Sequence, residues 1–170
     1  MHPIDRLSAT PIDTPRLSLE PLAPVHANEM TRVLADPALY SFTGGNPSTV
    51  DELTARYTRQ VRGHSDDGSA LWLNWIVRLR ADGTAVGYVQ ATVDNETEAA
   101  DVAWVIGTSH QGHGYAREAA TAMETWLREA GVARLSAHIH PEHHASQAIA
   151  CAIGLQATTE VVDGEIRWQS

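Results

Sequence analysis

Apolar positions recur every second residue over Arg16–Leu22, at Leu17 and Leu19 and then Leu22, and a period of two predicts a strand. From Pro24 the spacing widens. Val25, Met30, Val33 and Leu34 recur at helical intervals as far as Asp36-Pro37, and Pro24 suits a first helical turn. Thr43-Gly44-Gly45-Asn46-Pro47 reads as a loop, after which Ser48 is the expected cap of a second helix carrying Asp51 and Glu52 in its first turn. Leu71–Leu79, Val86–Val93 and Asp101–Ile106 are strands of a meander, joined by turns at Ala81–Thr84 and Asp94–Glu98. A helix follows over Tyr115–Ala130, stopped by Gly131, then a strand over Leu135–His140 and a helix over His143–Ile153 stopped by Gly154. Val161–Ile166 closes the chain as a hairpin around Asp163-Gly164. This order predicts one α/β (α+β) domain: a mixed, mostly antiparallel central sheet flanked by helices, spanning 15–170 behind a loose arm at 1–14.

Composition narrows what such a domain does. The 170 residues carry 12 basic and 21 acidic side chains, a formal charge of −9. Nucleic-acid binding rests on cations that neutralise phosphates, so the charge argues against a nucleic-acid partner. It favours a cationic acceptor such as an amine through long-range attraction. Any anionic ligand is then held locally, by backbone donors and few side chains. The single cysteine, Cys151, cannot form an intrachain disulfide and sits in the apolar run Ala148–Ile153, where it reads as a small buried hydrophobe. The N-terminal residues lack the apolar core of a signal peptide, and no stretch approaches the ~18 apolar residues of a membrane span. A cytoplasmic protein without a membrane partner, monomer or homodimer, is the expectation.

The chemistry-bearing segment is Val105–Glu118. A strand ends near Ile106, Gln111-Gly112-His113-Gly114-Tyr115-Ala116 follows, and a well-patterned helix begins. Gly112 and Gly114 let a ligand approach the backbone. The first amides of the helix lack intrahelical partners and carry the positive end of its dipole, so a diphosphate fits there. Arg117 in the first turn can add a charge-assisted bond. Neither the dinucleotide-binding G-x-G-x-x-G pattern nor the Walker lysine is present.

Gln111-x-x-Gly114-x-Ala116 resembles the Q/R-x-x-G-x-G/A signature of the GCN5-related N-acetyltransferases (GNAT). Thr14–Leu19, Asp36-Pro37, Thr43-Gly44-Gly45, Ala100–Ile106, Pro141–Ser146 and Gly154-Leu155 resemble segments of the branch that acetylates ribosomal-protein N-termini, RimJ/RimL-like. The resemblance covers about residues 14–155. It implies the GNAT-like fold and transfer of an acetyl group from acetyl-CoA to a primary amine, a protein N-terminus or a small-molecule amine, by direct attack in a ternary complex without a metal. It further implies that Gln111, Gly112, His113, Gly114, Tyr115, Ala116 and Arg117 hold the diphosphate of coenzyme A. Trp104, Val105 and Ile106 are implied to pair with its pantetheine arm, where their strand splays from Leu135–His140. The acceptor is implied to enter near Thr43, Gly44, Trp72 and Trp75.

Two departures from the family pattern stand out. His143 replaces the Asn after Pro-Glu that contacts the cofactor, and Ala150 stands where many relatives have a thiolate-protonating Tyr. Ser146 can supply a hydroxyl instead. Asp101 is the candidate base for the protonated amine, at a position where relatives often carry Glu; His110 and His113 read as solvated loop residues. Trp72 and Trp75, three apart on a strand, face opposite sides of the sheet. Two other classes remain open. One is a non-catalytic module that senses acyl-CoA. The other is a zinc hydrolase built on His138, His140, His143 and His144, since His138–His144 matches H-x-H-x-[D/E]-H, although too little chain follows to complete such a site. Aminoacyl transfer from tRNA is disfavoured by the charge.

Overall fold

The computed structural model describes residues 7–170. Eight strands form one sheet: β1 (Ile12–Asp13), β2 (Leu17–Pro21), β3 (Ala70–Leu79), β4 (Ala85–Asp94), β5 (Ala99–Ile106), β6 (Arg134–Ile139), β7 (Gln156–Val162) and β8 (Glu165–Gln169). Their order across the sheet is β1-β2-β3-β4-β5-β6-β8-β7. All pairs are antiparallel except β5–β6, the pair joined by a helical crossover. Four helices flank the sheet: α1 (Ala27–Val33), α2 (Val50–Gln60), α3 (Tyr115–Glu129) and α4 (His144–Ala152).

Alternation along the strands builds two cores. Leu71, Leu73, Trp75 and Val77 of β3 pack on one face with Ala119, Met123 and Leu127 of α3. Ile76 turns to the other face, where Met30 of α1 and Leu53 and Tyr57 of α2 cover it. The buried residues of α3 fall at helical spacing, and burying a side chain such as Met123 or Leu127 contributes roughly 1.5–3 kcal/mol.

Several local expectations shift. Thr49, not Ser48, caps α2, because Thr49 and Glu52 complete a reciprocal capping box while the Ser48 hydroxyl accepts from Arg56. The first helix is split, with a 3-10 turn at Pro24–His26 before α1. The closing hairpin is longer than its Asp-Gly centre suggested, and β8 inserts between β6 and β7.

The segment expected as a loose arm over 1–14 lies partly outside the described residues. Residues 7–13 within it are tied down rather than loose. Ile12 and Asp13 pair with β2, and the Thr10 carbonyl accepts from the buried Trp75 indole at 2.8 Å. The Thr10 hydroxyl accepts from the Trp126 indole at 2.9 Å.

The parallel pair positions the site. β5 and β6 are in register only at Ala99↔Arg134, Ala100↔Leu135 and Asp101↔Ser136. Past Ser136, β6 stays with β8, pairing Ala137, His138 and Ile139 with Trp168, Arg167 and Ile166. The edge of β5 from Val102 onward therefore opens as a wedge, as expected for the strand before the loop.

Candidate active site

The wedge opens into a cavity of about 810 Å³. One end is the strand–loop–helix corner. Gly112 and Gly114 adopt φ of +83° and +80°, the left-handed region open to glycine, and they turn the chain into α3. The first amide of α3 with a carbonyl partner is that of Glu118, which donates to Gly114 at 3.1 Å. Among the described residues, the amides from Gly112 to Arg117 have no acceptor. Gly112, Gly114, Tyr115, Ala116 and Arg117 line the cavity, so these donors and the dipole behind them face the open space. Gln111 also lines it and braces the corner, donating its side-chain amide to the Ile106 carbonyl at 2.9 Å.

His113 behaves differently from the expectation that it holds cofactor. It is absent from the cavity wall; its ring stacks on Tyr115 and its carbonyl accepts from Arg16 at 2.8 Å. Arg16 was not singled out by the sequence. It reaches from the bend just before β2 to the corner, pairs with Glu118 at 2.8 Å and lies 4.8 Å from the Tyr115 ring centre. Burial opposes ionisation of Glu118, but the Thr14 hydroxyl and Arg16 outweigh it and hold the carboxyl below its usual range. Only the juxtaposition of β2 and α3 creates this clamp, so no local pattern announces it.

Trp104, Val105 and Ile106 form the free strand edge along the cavity. Across the wedge stands α4, capped by His143, whose Nδ1 accepts from the Ser146 amide at 3.4 Å. The Ser146 hydroxyl accepts from the Trp104 indole at 3.3 Å and lies 3.1 Å from His143 Nε2. Burial, together with the neighbouring His140 and His144, pushes the His143 pKa down and favours the neutral ring. With Nδ1 accepting, its proton sits on Nε2 and is donated to Ser146. Both donors then occupy the oxygen, and the Ser146 hydrogen is left to point elsewhere. Phe42 closes the roof, stacked on His143 at 4.5 Å and tilted against His140 at 5.1 Å.

At the apex of the wedge, Asp101 accepts from the Ser136 hydroxyl at 3.1 Å, and His138 Nδ1 lies 3.2 Å from the same carboxylate oxygen. Both Asp101 and His138 line the cavity. Asp101 and Ser146 thus come from opposite sides of one opening.

The acceptor end departs furthest from expectation. Thr43 lines the cavity, but Gly44 does not; its amide closes a turn on Tyr40 at 2.8 Å. Trp75 borders the cavity, but its side chain is fully buried and edge-on to Trp126, so its ring packs in the core. Trp72 does face the opposite side of the sheet, yet it floors a separate shallow depression beyond the cavity. Residues the sequence did not mark, Tyr40, Phe42, Arg56, Tyr57, Asn74, Tyr88 and Gln90, line this end instead. Their signal is tertiary, since Asn74↔Gln90 and Ile76↔Tyr88 become neighbours only through β3–β4 pairing.

The histidine cluster does not converge. His138 turns to Asp101, His140 Nδ1 accepts from the Glu142 amide, and His143 caps α4. No group of three or more candidate metal ligands assembles among the described residues.

The family model described as the acetyltransferase (GNAT) domain matches residues 16–156, and the chain belongs to this family of acetyl-CoA-dependent N-acetyltransferases. No curated protein sequence matches the chain. Among solved structures, RimL, a ribosomal L7/L12 α-N-protein acetyltransferase in complex with coenzyme A, superposes with a TM-score of 0.77 at 16% identity, covering 95% of this chain and 97% of its own. An acetyltransferase from Thermus thermophilus reaches 0.72 at 22% identity, with 95% and 99% covered. The microcin C7 self-immunity acetyltransferase MccE, solved with acetyl-CoA and AMP, reaches 0.75 at 14% identity, with 92% and 93% covered. No helix among the described residues is long and apolar enough to cross a membrane.

Proposed function

We propose that residues 15–170 transfer the acetyl group of acetyl-CoA to a primary amine, a protein N-terminus or a small amine, by direct attack in a ternary complex. The observation that carries this reading is the run of unpartnered amides from Gly112 to Arg117, set at the end of an unpaired strand edge. The donor set fits a diphosphate, and the edge at Trp104–Ile106 fits an amide-bearing arm that adds to the sheet like a strand. From Ile106 back to Asp101 the strand rises about 17 Å, so an arm anchored at the loop reaches the apex.

Bound acetyl-CoA supplies an activated acetyl group as a thioester. The residues of this chain do the rest. Asp101 beside Nδ1 of His138 favours the proton there, leaving Nε2 to take one from the incoming ammonium. As the amine nitrogen bonds to the carbonyl carbon and the C–S bond breaks, Ser146 hydrogen-bonds the departing sulfur through its free hydrogen, and the second proton shed by the nitrogen leaves with the thiolate as free thiol. A thiol pKa near 8.5 makes this help modest. Cys151 lies outside the cavity wall, on the exposed side of α4, and has no part in a covalent route.

A cytoplasmic enzyme acting as monomer or homodimer, without a nucleic-acid partner, accords with the −9 charge and the single cysteine. Release of free thiol from acetyl-CoA in the presence of an amine panel tests the reading. Amine-dependent release at a steady rate is expected. Saturable acetyl-CoA binding with no release above hydrolysis for any amine would mark a sensor instead.

A further inference from the structure

The cavity does not end at the acceptor residues. Gln60, Asn74 and Gln90 also border a second depression of about 230 Å³, floored by Trp72, Ala91 and Thr92 and walled by Arg59. The two spaces are neighbours on the α2 side of the sheet and share Gln60, Asn74 and Gln90 as their common border. Register explains the floor: Trp72↔Thr92↔Asp101↔Ser136 and Asn74↔Gln90↔Ala103 are ranks across neighbouring strands, all with side chains on that face. The side-chain amides of Asn74 and Gln90 have no partner among the described residues.

The wall is cationic. The sequence carries twelve arginines and no lysine, and three of the arginines, Arg56, Arg59 and Arg62, fall on or just past the end of α2. Arg62 pairs with Asp66 at 2.7 Å while its guanidinium sits 5.7 Å from the Trp72 ring. Arg56 bonds the Ser48 hydroxyl and acts on the Glu52 carboxylate through charge without a hydrogen bond, and Arg59 makes no hydrogen bond or ion pair with the described residues. A chain of net charge −9 thus leaves two guanidinium groups, Arg56 and Arg59, without a close ion pair among the described residues beside these spaces. Such an arrangement is spare capacity for an anion.

Resting on the transferase reading above, we infer that the acceptor is the N-terminal amine of a polypeptide whose next few residues are acidic and lie along this groove. The amine reaches Asp101 and His138, while Asn74 and Gln90 bond the first peptide groups. The carboxylates that follow meet Arg56 and Arg59. A polyamine or other polycation is poorly served beyond the apex, because past Asp101 the Arg56–Arg59 side offers it repulsion. The chain's overall negative charge is therefore a misleading guide to its acceptor.

Peptides with one N-terminal residue and one length, differing only in acidic, neutral or basic residues at positions two to four, provide the test with the full chain. The acidic peptide should give the highest kcat/KM, by roughly tenfold over the basic one. Arg59→Glu should raise KM for the acidic peptide roughly fivefold, the scale of an exposed charge pair, and lower it for the basic one. Arg134→Glu, which makes the same charge reversal outside the groove, should do neither. Equal rates across the three peptides, or a polyamine outperforming all of them, would overturn the inference. Acetyl-CoA titration run alongside separates the two readings: binding without peptide turnover defeats only the acceptor inference, whereas absent binding defeats the transferase reading.

Discussion

Gly112 has open space where a Cβ would stand, and its positive φ is a region that Asn and Asp tolerate. The bend therefore accepts either side chain, while the ligand distinguishes them. Gly112→Asp should weaken coenzyme A binding by at least tenfold more than Gly112→Asn, because only the former sets a carboxylate against a diphosphate. Calorimetry on both variants, with circular dichroism for the fold, makes the comparison. At α4, the geometry that frees the Ser146 hydrogen also predicts a partial loss. Ser146→Ala should lower kcat by roughly tenfold, below the full range for general acids, because thiolate leaves without strict need of a proton. Unchanged kcat would remove Ser146 from the chemistry.

His143 adds a pH dependence whose sign follows from its depressed pKa. Its contribution to stability is present above the unfolded pKa near 6.5 and is lost as pH falls through the folded value. His143→Asn keeps a capping side chain without the titration, so its denaturation midpoint should fall less between pH 7 and 5 than that of the parent. A parallel fall in both would reassign the dependence to other groups. At this scale the sequence is informative where chemistry is local. Gln111, Gly112 and Gly114 are placed on the cavity wall by a pattern local to the chain, whereas the period of a strand assigns Trp75 a face and not the depth at which its ring is buried.

Strands and helices carry the second lesson. The strand–loop–helix corner is legible because a β run, two glycines and an amphipathic helix lie consecutively. The brace across it is not, since Arg16 and Glu118 are 102 residues apart. Arg16→Ala removes the guanidinium contacts to Glu118 and to the His113 carbonyl together, leaving the backbone one to Glu118, and should weaken coenzyme A binding severalfold while costing about 1 kcal/mol of stability. Urea denaturation and calorimetry read the two effects separately. An affinity equal to the parent's would show that the corner holds its shape unaided. The wedge between β5 and β6 belongs to the same scale. Sequence spacing places both strands, and the family resemblance implies their splay, but only the β6–β8 register shows where Asp101 and His138 meet.

For the molecule as a whole, net charge points one way and its distribution another. A total of −9 suggests attraction of cations, yet the groove beside the transfer site is bordered by Arg56 and Arg59. Composition averages over surface, and function depends on which charges the fold gathers. The same averaging hides the proposed diphosphate site, whose unpartnered main-chain donors composition never counts.

Amide hydrogen exchange with and without coenzyme A tests that reliance most directly. The account predicts strong added protection at the amides of Gly112 to Arg117, accompanied by protection along Trp104–Ile106 as the arm pairs with the strand edge. Bound coenzyme A that leaves those amides exchanging as before would contradict it.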